Sequence, residues 1–436
     1  MDALAYFLYN LAIVIGSPFI GGYYLLRLWR RGLPLSGVGE RLGFLRVLPS
    51  PGPEKRLWLH AVSVGEVGVA AALLPALWKA RPGLRVAIST VTESGRAAAE
   101  RIEGVEYVFY LPFDYRFAVR TALERIQPTA LAIVETELWP NLIRQASRRG
   151  VPVAVVNGRL TEKSFRGYRR LRFLFGPAMK MMVGVAARGA NDAARFQELG
   201  AGNVTAVGNI KYDAPIPSPE KTPASLAGKY GLTDAEPVIV AGSTHPGEEL
   251  AVGIAFQAIR GRFPRAGLLV APRHLNRLPD VEESLREAGL SPVLWSALPS
   301  GNVPGSEAGR VVILDEMGKL GEAYSCGTVA FIGGSLIPHG GQNLIEAARW
   351  GVPIVFGPYM KNFAEEADEL LRVGGAVRVA GANELSDAFL PWLTDGKARD
   401  RAGASAREAV VANRGAAERT AGFLVEILGF SAEKSG

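Results

Sequence analysis

Three glutamates stand directly after apolar runs that the sequence predicts to be buried strands. Glu66 follows the run Leu57–Val62 through a Ser-Val-Gly turn and opens a helical pattern, and Glu135 and Glu137 follow the run Ala130–Val134. A carboxylate in such a position can act as a general base that takes a proton from an attacking hydroxyl. For Glu66 the alternative is a first-turn glutamate that only complements the helix dipole, and position alone favours that alternative.

Two basic residues also follow predicted strands in this half of the chain. Arg159 lies in the segment NGRL and Lys211 in the segment GNIKYD. Each either meets an anionic group of a substrate or is ordinary surface charge. Glu135 and Glu137 would point to one face if their strand continued that far, because strand side chains alternate. The alternative is a polar start to the next helix.

A glycine-rich stretch in the second half is the strongest local pattern. Gly333-Gly-Ser335 is followed by GGQN and by a helical pattern over Leu344–Trp350. Glycines let the backbone approach a ligand, and a helix N-terminus offers free N–H groups to a phosphate. Arg273, after the predicted strand Gly267–Ala271, can bind the same phosphate, and Glu346 can accept hydrogen bonds from ribose. The alternative is a tight turn that needs glycine only for its conformation.

All four histidines follow predicted strands, in segments rich in polar residues and glycine; they are His60, His245, His274 and His339. A lone histidine is usually structural, but this shared placement favours a functional role. The four positions are too scattered in sequence to indicate a metal cluster, and no CxxC or HExxH pattern is present. GxGxxG and GxxxxGK[ST] are also absent, which argues against a dinucleotide oxidoreductase and a P-loop NTPase.

The N-terminal segment has no charged residue from Ala3 to Leu26 and is mostly apolar. As a helix it is long enough to cross a bilayer once. Arg27, Arg30 and Arg31 follow it, which by the positive-inside rule predicts that the remaining chain lies on the cytoplasmic side of the membrane. Glycines and a proline within the segment leave a monotopic or re-entrant anchor open, and a buried core helix is the other alternative.

Length and pattern predict two α/β domains. The chain has 436 residues, a net charge of +7 that favours anionic partners without choosing among them, and one cysteine, which excludes an intrachain disulfide. Short apolar runs alternate with amphipathic stretches, which predicts parallel sheets in two Rossmann-like domains facing a cleft. The predicted organisation is an anchor over 1–31, a first domain over 32–213, a proline-rich linker over 214–223, a second domain over 224–413, and a C-terminal helix and tail over 414–436.

Fourteen apolar runs are predicted as strands. In the first domain they are Leu57–Val62, Leu84–Ser89, Tyr107–Leu111, Ala130–Val134, Val151–Val156, Val183–Ala186 and Val204–Val207. In the second domain they are Val238–Ala241, Gly267–Ala271, Pro292–Trp295, Val311–Leu314, Thr328–Ile332, Pro353–Phe356 and Ala376–Val379.

Taken together, the segments resemble the Kdo transferase family, which transfers 3-deoxy-D-manno-octulosonic acid (Kdo) in lipopolysaccharide assembly. The matching segments are HAVSVGE, STVTESG, LPFD, ETELWPN, NGRL, GNIKYD, AGSTHPGEE, APRH, LDEMGKL, FIGGSLIPHGGQNLIEAA and GVPIVFGPYMKNF. They run in the family's order across both predicted domains. The resemblance implies an α/β GT-B glycosyltransferase fold and an inverting, metal-independent transfer of Kdo from CMP-Kdo to a lipid A precursor, lipid IVA, without a cofactor.

The resemblance also implies roles for individual residues. Glu66 becomes the catalytic base, which reverses the reading from position alone, with Lys211 and the acids Glu135 and Glu137 in support. The implied donor site consists of Ser243, Pro272, Arg273, Met317, Gly318, Lys319, Gly341, Asn343 and Glu346. Lys319 departs from the family, in which an acidic residue is usual after Met-Gly. The residues expected to contact the acceptor are Ser63, Gly65 and Arg159.

Two alternatives stay open at this point. One is a GT-B glycosyltransferase with another nucleotide sugar, such as a UDP-sugar. The other is a non-catalytic, membrane-bound module that binds a nucleotide or a lipid. The expected partners are the CMP-Kdo donor, the lipid acceptor and the membrane surface, with no nucleic acid.

Overall fold

The structure is a computed structural model that describes residues 2–31, 37–214, 227–232, 235–298 and 310–429. The chain divides into two compact units, 1–214 together with 413–436, and 215–412. Of the predicted linker over 214–223, all but Ala214 lies outside the described residues. The C-terminal helix belongs to the first unit and is not a separate segment.

Every apolar run predicted as a strand forms one within the described residues, with ends that differ by at most a few positions. The strands are β1 (Arg56–His60), β2 (Arg85–Thr90), β3 (Tyr107–Tyr110), β4 (Ala130–Val134), β5 (Val153–Gly158), β6 (Gly184–Ala187), β7 (Val204–Ala206), β8 (Val238–Thr244), β9 (Gly267–Pro272), β10 (Pro292–Leu294), β11 (Val311–Ile313), β12 (Val329–Ile332), β13 (Ile354–Phe356) and β14 (Ala376–Arg378).

The helices lie between most of the strands and at both ends of the chain. They are α1 (Asp2–Arg31), α2 (Val38–Arg41), α3 (Val64–Ala80), α4 (Glu93–Ala99), α5 (Arg116–Ile126), α6 (Pro140–Arg148), α7 (Glu162–Arg170), α8 (Arg172–Met181), α9 (Ala190–Leu199), α10 (Glu248–Arg260), α11 (Leu278–Glu287), α12 (Leu320–Ala323), α13 (Ile345–Ala348), α14 (Ala364–Arg372), α15 (Leu385–Thr394), α16 (Gly396–Ala412) and α17 (Ala416–Ile427).

The first unit is built on a parallel sheet of seven described strands in the order β3-β2-β1-β4-β5-β6-β7. Its strands are continuous apolar runs because helices cover both faces. The chain runs outward from β1 to β3 and then returns to place β4 on the other side of β1. That reversal leaves a crevice beyond the carboxyl ends of β1 and β4, where such sheets bind ligands.

The second unit repeats the arrangement with seven described strands in the order β10-β11-β9-β8-β12-β13-β14, all parallel. Here the order reverses between β8 and β12. Gly333 marks how closely the segments after these two strands approach, since a Cβ at this position would overlap the Ser243 carbonyl. The loops after β8, β9 and β12 therefore meet at one edge of the sheet.

Helix α1 packs on the rest of the first unit with Ala5 and Tyr6 buried, and polar contacts add to this packing. The Tyr9 hydroxyl donates to an Asp114 carboxylate oxygen at 2.7 Å, and the hydroxyls of Ser17 and Tyr115 lie 2.6 Å apart. Among the described residues, no helix combines the length and the apolar character needed to cross a membrane. The single crossing that the length of this segment allows is therefore not shown.

Candidate active site

Glu66 lies in the first turn of α3, at the crevice beside β1. Ser63 is the N-cap residue of this helix, with an extended backbone. A Glu66 carboxylate oxygen accepts a hydrogen bond from the Val62 N–H at 2.6 Å. The carboxylate therefore folds back over the start of its own helix, in the manner of a capping box, and is held in one orientation.

Burial raises the pKa of Glu66 to about 8, and the nearby carboxylates of Glu135 and Glu137 add to this effect. The Val62 N–H and the charge of Lys211 oppose it. A carboxylate with a pKa near 8 holds a transferred proton far better than an ordinary glutamate does. The environment of Glu66 is that of a partly buried carboxylate with a perturbed pKa, which is common at functional sites.

Glu135 follows β4 and adopts a left-handed backbone with φ of 60°. The strand ends at Val134 for this reason, so the alternation considered for Glu135 and Glu137 does not extend to them. Non-glycine residues with positive φ are uncommon and concentrate at functional sites. Asn157 at the end of β5 has φ of 51°, so neighbouring strands end in the same unusual conformation.

Lys211 lies in the 3-10 helix Ile210–Asp213, and its ammonium contacts a Glu135 carboxylate oxygen at 2.9 Å. Burial alone would raise the pKa of Glu135. The charges of Lys211, Arg188 and Arg159, with the Lys211 hydrogen bond, outweigh burial and lower it. Glu135 is thus an ionised partner of a cation.

Burial raises the pKa of Glu137, and the charge of Glu135 raises it further. The crevice of the first unit therefore brings together the predicted catalytic set of Glu66, Glu135, Glu137 and Lys211. The catalytic roles of these four residues stay predictions.

Arg188 is a residue of this crevice that the sequence reading missed. It directly follows β6, is only 7% exposed, and its charge contributes to the low pKa of Glu135. The sequence contains a pattern that indicates Arg188, because this residue follows an apolar run as Arg159 does. Arg159 itself is partly exposed, and the Thr136 hydroxyl donates to its carbonyl oxygen.

The residues predicted to contact the acceptor lie at the same edge of the sheet. Ser63 is half-buried, and Gly65 is exposed in the first turn of α3. Arg159 acts electrostatically on Glu135 from the loop after β5. An acceptor bound to these residues would approach Glu66 from solvent.

The glycine-rich loop after β12 differs from its predicted role. The backbone N–H groups of Gly334, Ser335 and Leu336 all donate to the Glu248 carboxylate, at 2.6, 3.0 and 2.9 Å. The His245 N–H is a fourth donor at 2.9 Å. A carboxylate of the chain itself thus fills this anion-binding backbone, so the prediction that Gly333–Ser335 cradles a phosphate is wrong.

The helix predicted over Leu344–Trp350 is a single turn, α13, and offers no extended helix N-terminus to a phosphate. The side-chain oxygen of Asn343 accepts from the Ile345 N–H at 3.2 Å. The Asn343 side-chain amide donates to Glu346 at 2.9 Å. These contacts order the two residues beside each other.

Three of the predicted donor residues, Met317, Gly318 and Lys319, lie on the loop between β11 and α12 of the second unit. Met317 is 50% exposed, Gly318 has a positive φ, and the Lys319 ammonium lies 3.3 Å from a Glu316 carboxylate oxygen. Gly321 brings this loop to Glu346, because a Cβ at Gly321 would lie 3.8 Å from a Glu346 carboxylate oxygen.

A second group of predicted donor residues surrounds the loops after β8 and β9. Ser243 has a left-handed backbone with φ of 55° near the end of β8. Pro272 ends β9, and the exposed Arg273 follows it, with its N–H donating to the Thr244 carbonyl at 3.0 Å. Gly341 packs so tightly on Met360 that any side chain there would overlap it.

Three of the four histidines come together in the second unit. The ring centroid of His245 lies 4.0 Å from that of His339 and 6.0 Å from that of His274. His60 is separate and fully buried in the first unit, with its Nδ1 2.9 Å from the Ser89 hydroxyl. Within the described part of the chain, no group of three or more His, Cys, Asp or Glu side chains is arranged to hold a metal ion.

A glycosyltransferase from Rickettsia africae shares this fold. Its crystal structure superposes with a TM-score of 0.60 over 87% of this chain and 100% of that one, at 14% identity. A likeness at this identity concerns the fold alone, which is the α/β fold of GT-B glycosyltransferases.

Sequence comparisons identify the family. Residues 36–214 match the family model described as 3-deoxy-D-manno-octulosonic-acid transferase, or Kdo transferase. The 3-deoxy-D-manno-octulosonic acid transferase of Bordetella pertussis is 33% identical, over 97% of this chain and 99% of that protein. The Haemophilus influenzae enzyme of the same name is 30% identical, over 95% and 96%. The chain belongs to the 3-deoxy-D-manno-octulosonic acid transferase family.

Proposed function

We propose that this chain transfers Kdo from CMP-Kdo to a hydroxyl of a lipid A precursor, lipid IVA, with inversion at the anomeric carbon. Membership of the Kdo transferase family supports the transferred sugar. The observation that carries the mechanism is the oriented carboxylate of Glu66, whose pKa burial raises to about 8.

The proton step belongs to the first unit. Glu66 takes the proton of the acceptor hydroxyl, and the oxygen forms a bond to the anomeric carbon of Kdo. The bond from that carbon to the phosphate oxygen breaks, and its electron pair leaves with CMP. Lys211 and Glu135 form an ion pair that keeps one carboxylate of the site ionised while Glu66 accepts the proton.

Donor binding belongs to the second unit. The exposed Arg273 lies after β9, where its guanidinium can offset the charge of the nucleotide phosphate. Glu346, which accepts a hydrogen bond from Asn343, would accept hydrogen bonds from ribose hydroxyls. Met317 and Gly318 complete the site from the neighbouring loop. Cationic side chains in these roles supply charge stabilisation without a metal.

We also propose that α1 holds the protein at the cytoplasmic face of the inner membrane. Large apolar side chains recur along one face of this helix with 43–63% exposure; they are Leu4, Phe7, Leu8, Leu11, Val14 and Ile15. Their spacing of three and four residues forms a continuous apolar stripe. A helix with such a stripe facing solvent can lie in the membrane interface without crossing it.

A cavity of ≈ 940 Å³ beside α1 supports a lipid acceptor. Val14 and Phe117 give it apolar lining, and Arg116, Arg120 and Arg149 give it positive charge. This combination suits an acyl chain next to a phosphate group. The acceptor would then reach the first unit from the membrane surface.

The test is Kdo transfer by detergent-solubilised protein supplied with CMP-Kdo generated in situ and lipid IVA. We expect a Kdo-bearing lipid by mass spectrometry, and loss of roughly a hundredfold or more in rate for Glu66→Gln, as for a lost general base. The matched control is Glu418→Gln, which alters an exposed first-turn glutamate of α17. Near-wild-type turnover in Glu66→Gln would refute the base assignment.

Competition by free nucleotides addresses the donor separately. CMP should inhibit transfer and UDP should not. Inhibition by UDP, with no product from CMP-Kdo, would indicate a GT-B transferase that uses a different nucleotide sugar.

A further inference from the structure

We propose that His245, His274 and His339 bind the nucleotide phosphate together with Arg273, and that the histidine cluster takes up a proton from solvent when the phosphate binds. This proposal rests on the proposed function, because it concerns the donor site of the same reaction. It assigns a role to three side chains that the mechanism above does not use.

Geometry is the first argument. The three histidines come from the loops after β8, β9 and β12, the central strands at which the order of the second sheet reverses. The ring of His245 lies 4.0 Å from His339 and 6.0 Å from His274, measured between centroids. His245 is buried, whereas His274 and His339 are exposed. The cluster is therefore open to solvent on one side, at the place where such sheets bind their ligands.

Contacts with Glu248 and Gln342 hold His245 in position. Its N–H donates to the Glu248 carboxylate at 2.9 Å, and its ring Nε2 lies 3.1 Å from the Gln342 side-chain nitrogen. Four backbone N–H groups donate to the Glu248 carboxylate, so its hydrogen bonds go to the backbone. The neighbouring Glu249 is committed to Arg277, at 3.0 Å.

The surrounding charge is the second argument. Burial lowers the pKa of His245 to about 4, and His339, His274, Arg273 and Arg277 lower it further by their charge. Burial, then Arg273 and Arg277, also lowers the pKa of His274. Lys361, on the loop after β13, adds positive charge beside Gly340. The pKa values of two of the rings are thus lowered, and both rings lie among cationic side chains.

An anion reverses this balance. A phosphate dianion placed among the rings attracts a proton to imidazole and raises its pKa, so binding and proton uptake are linked. The same effect serves the reaction. The phosphate of a nucleotide sugar carries one negative charge and the departing CMP carries two, and an imidazolium next to it offsets the second charge.

The experiment is calorimetric titration of the full chain with CMP at about pH 7.5, where a phosphate monoester is already mostly dianionic. Two buffers with different ionisation enthalpies give the number of protons taken up. We expect uptake approaching about one proton per CMP in the wild type. Cytidine, which lacks the phosphate, should bind without proton uptake.

The decisive variant is His274→Asn with His339→Asn, which changes the two exposed rings and leaves the buried His245. We expect proton uptake to fall by at least about half, and CMP binding to weaken roughly ten- to hundredfold. Arg286→Gln, in the exposed pair with Glu282, is the control and should match the wild type. Circular dichroism and thermal unfolding establish that each variant is folded.

Two outcomes overturn the proposal. One is tight CMP binding by the wild type with no proton uptake, and the other is unchanged uptake in the double variant. Transfer of Kdo by the wild type in either case would leave the proposed function standing. Absence of both transfer and CMP binding would instead remove the proposed function itself.

Discussion

The ammonium of Lys211 lies 2.9 Å from a carboxylate oxygen of Glu135. Glu135 and the nearby Glu66 have pKa values that are shifted in opposite directions. Lys211 and nearby arginines overcome burial and lower the pKa of Glu135. Burial, with Lys211 only partly opposing it, raises the pKa of Glu66 to about 8. When two neighbouring carboxyl groups have pKa values shifted in opposite directions, the group with the higher pKa is the one expected to hold the proton.

Lys211→Met removes a charge that lowers the pKa of both Glu66 and Glu135. We expect the acid limb of the kcat/KM profile to move to higher pH and the rate near neutral pH to fall roughly tenfold or more. The pH–rate profile of the purified variant measures this. Lys180→Met, at an exposed position in the last turn of α8, is the matched control. An acid limb at the wild-type position would contradict the coupling.

The raised pKa of Glu66 predicts the direction of the wild-type pH dependence. A general base acts when deprotonated, so kcat/KM should rise about tenfold per pH unit below pH 8 and level off above it. The measurement is initial rate of Kdo transfer across this range at fixed ionic strength. Glu418→Gln should reproduce the wild-type profile. A level rate from about pH 5 to pH 8 would show that Glu66 is not the titrating base.

The sequence predicted the strands well because each is an uninterrupted apolar run buried on both faces. Glu66 and Lys211 came together as expected because both follow strands at one edge of the sheet. Position alone could not show that Glu66 has a raised pKa, since that pKa depends on burial and on carboxylates that follow another strand. The proposed role as a base comes from the resemblance to a known family.

The second unit shows where the sequence reading failed. The pattern Gly333-Gly-Ser335 indicates backbone donors for an anion, and the structure does place them around one. The anion is Glu248, from the loop after a different strand. No local pattern reveals that a carboxylate distant in sequence fills the loop. For the same reason, the sequence could not predict that His245 and His339 lie next to each other, because they follow different strands.

Glu248→Gln tests how much this internal anion stabilises the second unit. The amide keeps one acceptor oxygen but turns an N–H₂ group toward backbone donors, so several hydrogen bonds are lost in a buried place. We expect the free energy of unfolding to fall by about 3 kcal/mol and CMP binding to weaken with the loop. Urea unfolding followed by tryptophan fluorescence measures the first effect. Glu365→Gln, an exposed first-turn glutamate of α14, should change neither.

The apolar stripe on α1 is tested by sedimentation with vesicles of phosphatidylethanolamine and phosphatidylglycerol. Phe7 and Val14 are 62% and 63% exposed, and Phe7→Glu or Val14→Glu would place a charge where the stripe meets lipid. Losing the burial of one large apolar side chain should weaken vesicle binding roughly tenfold or more. Ile254→Glu is the matched control, because Ile254 is 58% exposed on α10, outside the stripe. Equal loss of binding in all three variants would show that the stripe is not the membrane-binding face.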